Sequence, residues 1–171
     1  MNVPLRFWSA WLAVLALVGC AAPWIPPGTS MGDVEARMGK PAAVVKAPDG
    51  DTVWQYPKGP FGQKTYMARF GPDQRVTSFT QALTFDNLAK IQRGMTKEDV
   101  RLMLGYPTIP VVTYRNLNQE AWSYRYQIPV SDDRIYTVLF DVSSGVVQTA
   151  YDQVDELYRP INWGTGGGSG R

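Results

Sequence analysis

The stretch from Gly94 to Pro107, GMTKEDVRLMLGYP, is echoed without a gap by Gly28 to Pro41, GTSMGDVEARMGKP. A helix start and stop written twice in one short chain leaves few architectures open. In the second copy Thr96 offers a hydroxyl at the N-cap and Asp99 a carboxylate three residues on, a variant of the capping box. Met95 before the cap and Val100 at the fourth helical position are placed for a hydrophobic staple. Val100 and Leu104 share one face, Gly105 supplies the left-handed stop, and Pro107 prevents resumption. Ser30, Asp33, Val34, Met38, Gly39 and Pro41 rewrite that helix in the first copy, weakened by Met31 and Gly32.

The echo extends past the helix. Trp54-Gln55-Tyr56 corresponds to Trp122-Ser123-Tyr124, and Phe70 through Val76 to Phe140 through Val146, with offsets drifting from 66 to 68 to 70. Trp122, Tyr124 and Tyr126 alternate with Ser123 and Arg125, as residues of a half-buried strand do. Asp49-Gly50 and Ser143-Ser144-Gly145 read as hairpin turns. A further short helix is expected near Phe85 to Ile91. Each repeat thus reads as a helix or helix pair followed by an antiparallel meander of three or four strands. One unit is too small to bury its sheet alone, so two are expected to combine in one α+β body. Whether their sheets merge or merely pack stays open.

The beginning of the chain is of another kind. Arg6 precedes an apolar run from Phe7 to Val18, which has signal-peptide length and is too short to span a bilayer. The run ends in Leu17-Val18-Gly19-Cys20, which resembles the lipobox of bacterial lipoproteins. That resemblance implies removal of residues 1–19 and acylation of Cys20. Ala21, where aspartate would imply inner-membrane retention, implies export to the outer membrane and a body facing the periplasm. Residues 20–29 are a proline-rich tether, and from Cys20 to Ser30 it reaches roughly 35 Å at most. Trp24 suits a headgroup region or a packed linker position equally. Cys20 is the only cysteine and there is no histidine, which removes internal disulfides, imidazole-dependent triads and Cys/His zinc sites. A formal net charge of +2 without basic clusters gives no case for nucleic acid.

Lipobox, capped G-[MT]-[ST]-x-x-[DE]-V-x-x-x-[LM]-G-x-P helix, W-x-Y and F-D-x-x-G-x-V together resemble the SmpA/OmlA family of BamE-like outer-membrane lipoproteins. The second copy carries the full pattern, with Phe140-Asp141 and Gly145-Val146; the first has Gly71-Pro72-Asp73-Gln74-Arg75 in place of the turn. Typical members hold one unit, and a tandem arrangement also resembles β-lactamase inhibitory protein. The expected organisation is a signal peptide over 1–19, the tether over 20–29, BamE-like repeats over 30–81 and 82–158, and a Gly-rich tail over 159–171.

The resemblance implies a non-enzymatic accessory module without cofactor. It would serve outer-membrane β-barrel assembly and envelope integrity, with envelope proteins, the assembly machinery and phospholipid headgroups as partners. The alternative is a lipid-anchored inhibitor or sensor that grips a periplasmic enzyme through its sheet. That alternative needs Trp54, Tyr56, Trp122, Tyr124 and Tyr126 as an exposed, protein-binding platform, whereas strand aromatics on one face also serve as core beneath helices. Asp33 and Asp99 read as helix-start residues, and Asp132-Asp133 and Asp152, Asp155 and Glu156 as solvated acids, without metal or catalytic roles.

Overall fold

A computed structural model describes residues 24–128 and 133–157. The signal segment 1–19, Cys20, the rest of the tether up to residue 23, Asp132 and the Gly-rich tail 159–171 lie outside the described residues. The first half runs α1 (Met31–Met38), β1 (Ala43–Lys46), β2 (Thr52–Pro57), β3 (Thr65–Phe70) and β4 (Val76–Gln81). The second runs α2 (Phe85–Leu88), α3 (Lys97–Leu104), β5 (Val112–Tyr114), a 3-10 turn (Arg115–Leu117), β6 (Gln119–Gln127), β7 (Asp133–Asp141) and β8 (Val147–Val154). Each half holds its own four-stranded antiparallel meander, ordered β1-β2-β3-β4 and β5-β6-β7-β8. The sheets do not merge.

Both helices begin and end as their residues dictate. The Thr96 hydroxyl accepts the Asp99 N–H at 3.1 Å, and the Asp99 carboxylate accepts the Thr96 N–H at 2.9 Å, closing a capping box. Ser30 accepts the Asp33 N–H at 3.2 Å, while the Asp33 carboxylate takes only the Ser30 hydroxyl at 2.7 Å. Gly39 and Gly105 then stop the helices at φ +79° and +84°, each donating its N–H back into the last turn. The segment before each helix is laced to its sheet in the same way. The Gly28 and Gly94 N–H groups donate to the carbonyls of Val76 and Val147, whose own N–H groups return to Thr29 and Met95.

Val147, rather than Val146, therefore occupies the place of Val76. The turn after β7 is one residue longer than the turn after β3, so the offset grows again at that point. Tilted aromatic pairs also recur, Trp54 on Phe70 at 4.8 Å and Trp122 on Phe140 at 4.9 Å between ring centres. The helix expected from Phe85 to Ile91 is shorter, ending at Leu88. Ile91 still packs against the second core.

The halves differ in what covers their sheets. One face of the first sheet carries Tyr56, Tyr66, Ala68 and Phe70, packed with Val34 of α1 and with Ile25. Its other face carries Val53 and Met67, which meet Leu102 on the back of α3. The front of α3, Val100 and Leu104, packs on Trp122, Tyr124, Val138 and Phe140 of the second sheet. The body is thus four layers: α1, first sheet, α3, second sheet. Gln55 pins the middle of the stack. It is fully buried, donates through Nε2 to the Arg101 carbonyl at 2.9 Å and accepts the Tyr106 N–H at 3.2 Å. A buried amide lacking those partners would cost about 1–3 kcal/mol, so both polar ends fix the register of the halves.

Candidate protein-binding surface

The aromatic residues expected as a platform are not on a surface. Tyr56, Trp122, Tyr124 and Tyr126 are buried, and partly buried Trp54 packs against the first core. The reason is the layering, since the inner face of each sheet is the one its helix covers. Burial pushes the Tyr56 phenol up to about 12, with Glu35 nearby adding to the effect, and burial does the same to Tyr126, helped by its hydrogen bond to Asp152. Both stay neutral and serve packing. Four of these five residues pack as core, and Trp54 is the one that keeps some exposure.

Exposed apolar surface collects elsewhere, where the two halves meet. The β2–β3 loop of the first half and the α3–β5 connection of the second enclose an open cleft of about 440 Å³, lined by Pro57, Gly59, Pro60, Tyr106, Pro107 and the segment 108–111. Around it stand Phe61, exposed by 65%, and Tyr106, Val111, Val112 and Tyr114, each exposed by 40–46%. β5 is a short edge strand whose three residues all face solvent. Sequence reading missed this region because Val111-Val112-Thr113-Tyr114 comes after the helix stop and lacks the alternation that marked β6. The only signal was an apolar run beside two prolines, Pro107 and Pro110.

The cleft wall is held by Arg125. Its Nε donates to Asp155 at 2.6 Å, both groups are nearly buried, and its Nη1 donates to the Pro60 carbonyl. The guanidinium also lies over the Phe61 ring, 5.6 Å from its centre. Thr108 caps the same place, accepting the Arg125 N–H at 3.0 Å. Arg125 of β6 therefore fastens the first half's loop and the segment leaving β8 through its side chain, and the second half's connection through its backbone N–H. Asp155, expected to be solvated, is a buried partner instead. Asp152 is paired with Arg134 and Tyr126.

A second cluster sits at the start of α3. Lys97 pairs with Glu120 at 2.9 Å, and Glu120 accepts the Trp122 indole N–H at 2.7 Å. Burial would raise the Glu120 carboxyl, but the hydrogen bonds from Lys97 and Trp122 and the lysine charge outweigh it and hold the group below its ordinary value. Arg101 lies 4.3 Å from the Tyr106 ring centre and 5.4 Å from that of Trp122, a cation between two aromatic faces. Asp33 and Asp99 act at their helix starts, as expected. Among the described residues, no group of three or more His, Cys, Asp or Glu could hold a metal ion, and no helix is long and apolar enough to cross a membrane.

Helix laid on an antiparallel four-stranded meander defines the class, a small α+β body with an open apolar cleft between its halves. Residues 81–150 match the family described as the outer membrane protein assembly factor BamE domain. The match starts at the end of β4 and runs into β8. No curated protein and no solved structure matches the chain.

Proposed function

We propose that this chain is a lipoprotein of the outer membrane, acylated on Cys20 and facing the periplasm, that acts as a non-enzymatic accessory in outer-membrane β-barrel assembly. The observation that carries this reading is the BamE domain over residues 81–150 in a chain whose beginning reads as a lipobox. The first half is a second, diverged BamE-like unit. Its support is the shared order of helix and four strands, the matching caps and the paired Trp–Phe contacts. Partner proteins of the assembly machinery engage the cleft and the β5 edge, where the exposed apolar side chains lie. Apolar side chains surrounded by polar rim residues are the common make-up of such docking sites.

The test is affinity capture of the tagged, full-length protein from detergent-solubilised envelopes. Enrichment of a barrel-assembly component over a control outer-membrane lipoprotein is expected. Equal recovery from both baits would overturn the assignment.

A further inference from the structure

Ile25 lies within the Pro-rich stretch, yet it is only 2% exposed and belongs to the first core with Val34, Tyr56 and Phe70. The residues after it are equally fixed. The Thr29 N–H and hydroxyl both donate to the Pro26 carbonyl, the Gly28 N–H donates to Val76, and Arg75 Nη1 donates to the Gly28 carbonyl at 2.8 Å. Ile25 is therefore part of the packed body. Its neighbour Trp24 is 73% exposed. Three residues separate Trp24 from Cys20, so their Cα atoms lie at most about 14 Å apart.

The second half supplies an internal control. Ile91 lies 66 positions after Ile25, packs against the second core and leads into the same turn, in which the Met95 N–H donates to the Gln92 carbonyl. Before it stands Lys90, which is exposed and donates to Asn87 at 3.3 Å. The fold thus asks for no aromatic residue at this position. An indole placed there, solvent-facing and one short stretch from a membrane anchor, has the chemistry of an interfacial residue: an apolar ring with one N–H for the headgroup layer.

From this placement we infer that Trp24 docks in the headgroup region of the bilayer that holds Cys20, setting the first half against the membrane. Trp24 emerges beside Ile25, on the α1 side of the first sheet, whereas α3 and the BamE domain cover the opposite side. The second half is consequently held away from the lipid surface. This inference rests on the proposed acylation of Cys20.

The experiment uses full-length protein purified from envelopes and reconstituted into phosphatidylcholine/phosphatidylglycerol vesicles containing lipid brominated near the glycerol backbone. Tryptophan fluorescence is compared with that of Trp24→Lys, a variant that places at residue 24 what the fold already accommodates before Ile91. Quenching of the unaltered protein, reduced at least twofold in the variant, is expected. Equal quenching of both, or none in an acylated sample, would overturn the docking while leaving the anchoring intact. An intact mass without acyl chains would overturn both.

Discussion

Gly105 ends α3 at φ +84° and ψ −169°, and Gly39 ends α1 at φ +79° and ψ −173°, a region essentially closed to residues with a Cβ. The two positions share a backbone and differ in neighbours. A Cβ on Gly39 would meet nothing within 4 Å, whereas one on Gly105 would come 2.9 Å from Thr65 Cγ2 and 3.2 Å from Met67 Cε. That contrast arises from the layering, because α3 has a sheet on its back and α1 has none. Gly39→Ala is expected to cost about 1–3 kcal/mol from backbone strain alone. Gly105→Ala should cost at least about 1 kcal/mol more, because the added methyl crowds the first sheet. Urea unfolding of both variants measures the difference. Equal losses would mean that α3 and the first sheet are not packed as described.

α3 is the element on which both halves depend. Its front fills the second core and its back covers the first sheet, so its stability is felt on both sides. The capping box that starts it depends on charge. The hydrogen bond from the Thr96 hydroxyl, and then that from the Thr96 N–H, hold the Asp99 carboxyl below its ordinary value of 3.8. A carboxyl depressed in the folded state adds stability that is present above its unfolded pKa and lost as pH falls through the folded one. Asp152, lowered chiefly by Arg134, and Asp141, lowered chiefly by the Ser144 N–H, act in the same direction. The melting temperature should therefore fall as pH drops from about 5 to 3. Asp99→Asn should be less stable than the parent at pH 6 and approach it at the acid end. Parallel curves would show that the Asp99 charge contributes nothing to the helix start.

Much of this element was legible in the sequence, because caps and glycine stops act through residues three to five apart. Its second face was not. The spacing of Val100 and Leu104 marks one apolar face and says nothing of Leu102 or Gln55. Gln55 finds its partners 46 and 51 positions away in sequence, and Leu102 meets Val53 and Met67 of the other half, contacts that no local period encodes. The aromatic residues were ambiguous for the same cause. Alternation puts Trp122, Tyr124 and Tyr126 on one face and leaves unsaid whether a helix or water lies over it. Ile25, flanked by Pro23, Pro26 and Pro27, looked like linker because its partners are supplied by β2, β3 and α1.

For the whole molecule, two helix-and-meander bodies are joined by α3, Gln55 and the Arg125 junction into one stack. The two sides of that stack have different tasks under the proposed function: Trp24 toward lipid, the cleft beside β5 toward protein. Phe61, Tyr106, Val111, Val112 and Tyr114 bring exposed apolar surface to the seam between the halves. The most direct measurement is photocrosslinking in intact cells, with a photoreactive residue at Tyr114 on the β5 edge and, for comparison, at Arg37, exposed on α1. The account predicts a covalent adduct from Tyr114 to a component of the barrel-assembly machinery and none from Arg37. Adducts of equal yield from both positions, or from Tyr114 only to proteins outside that machinery, would contradict it.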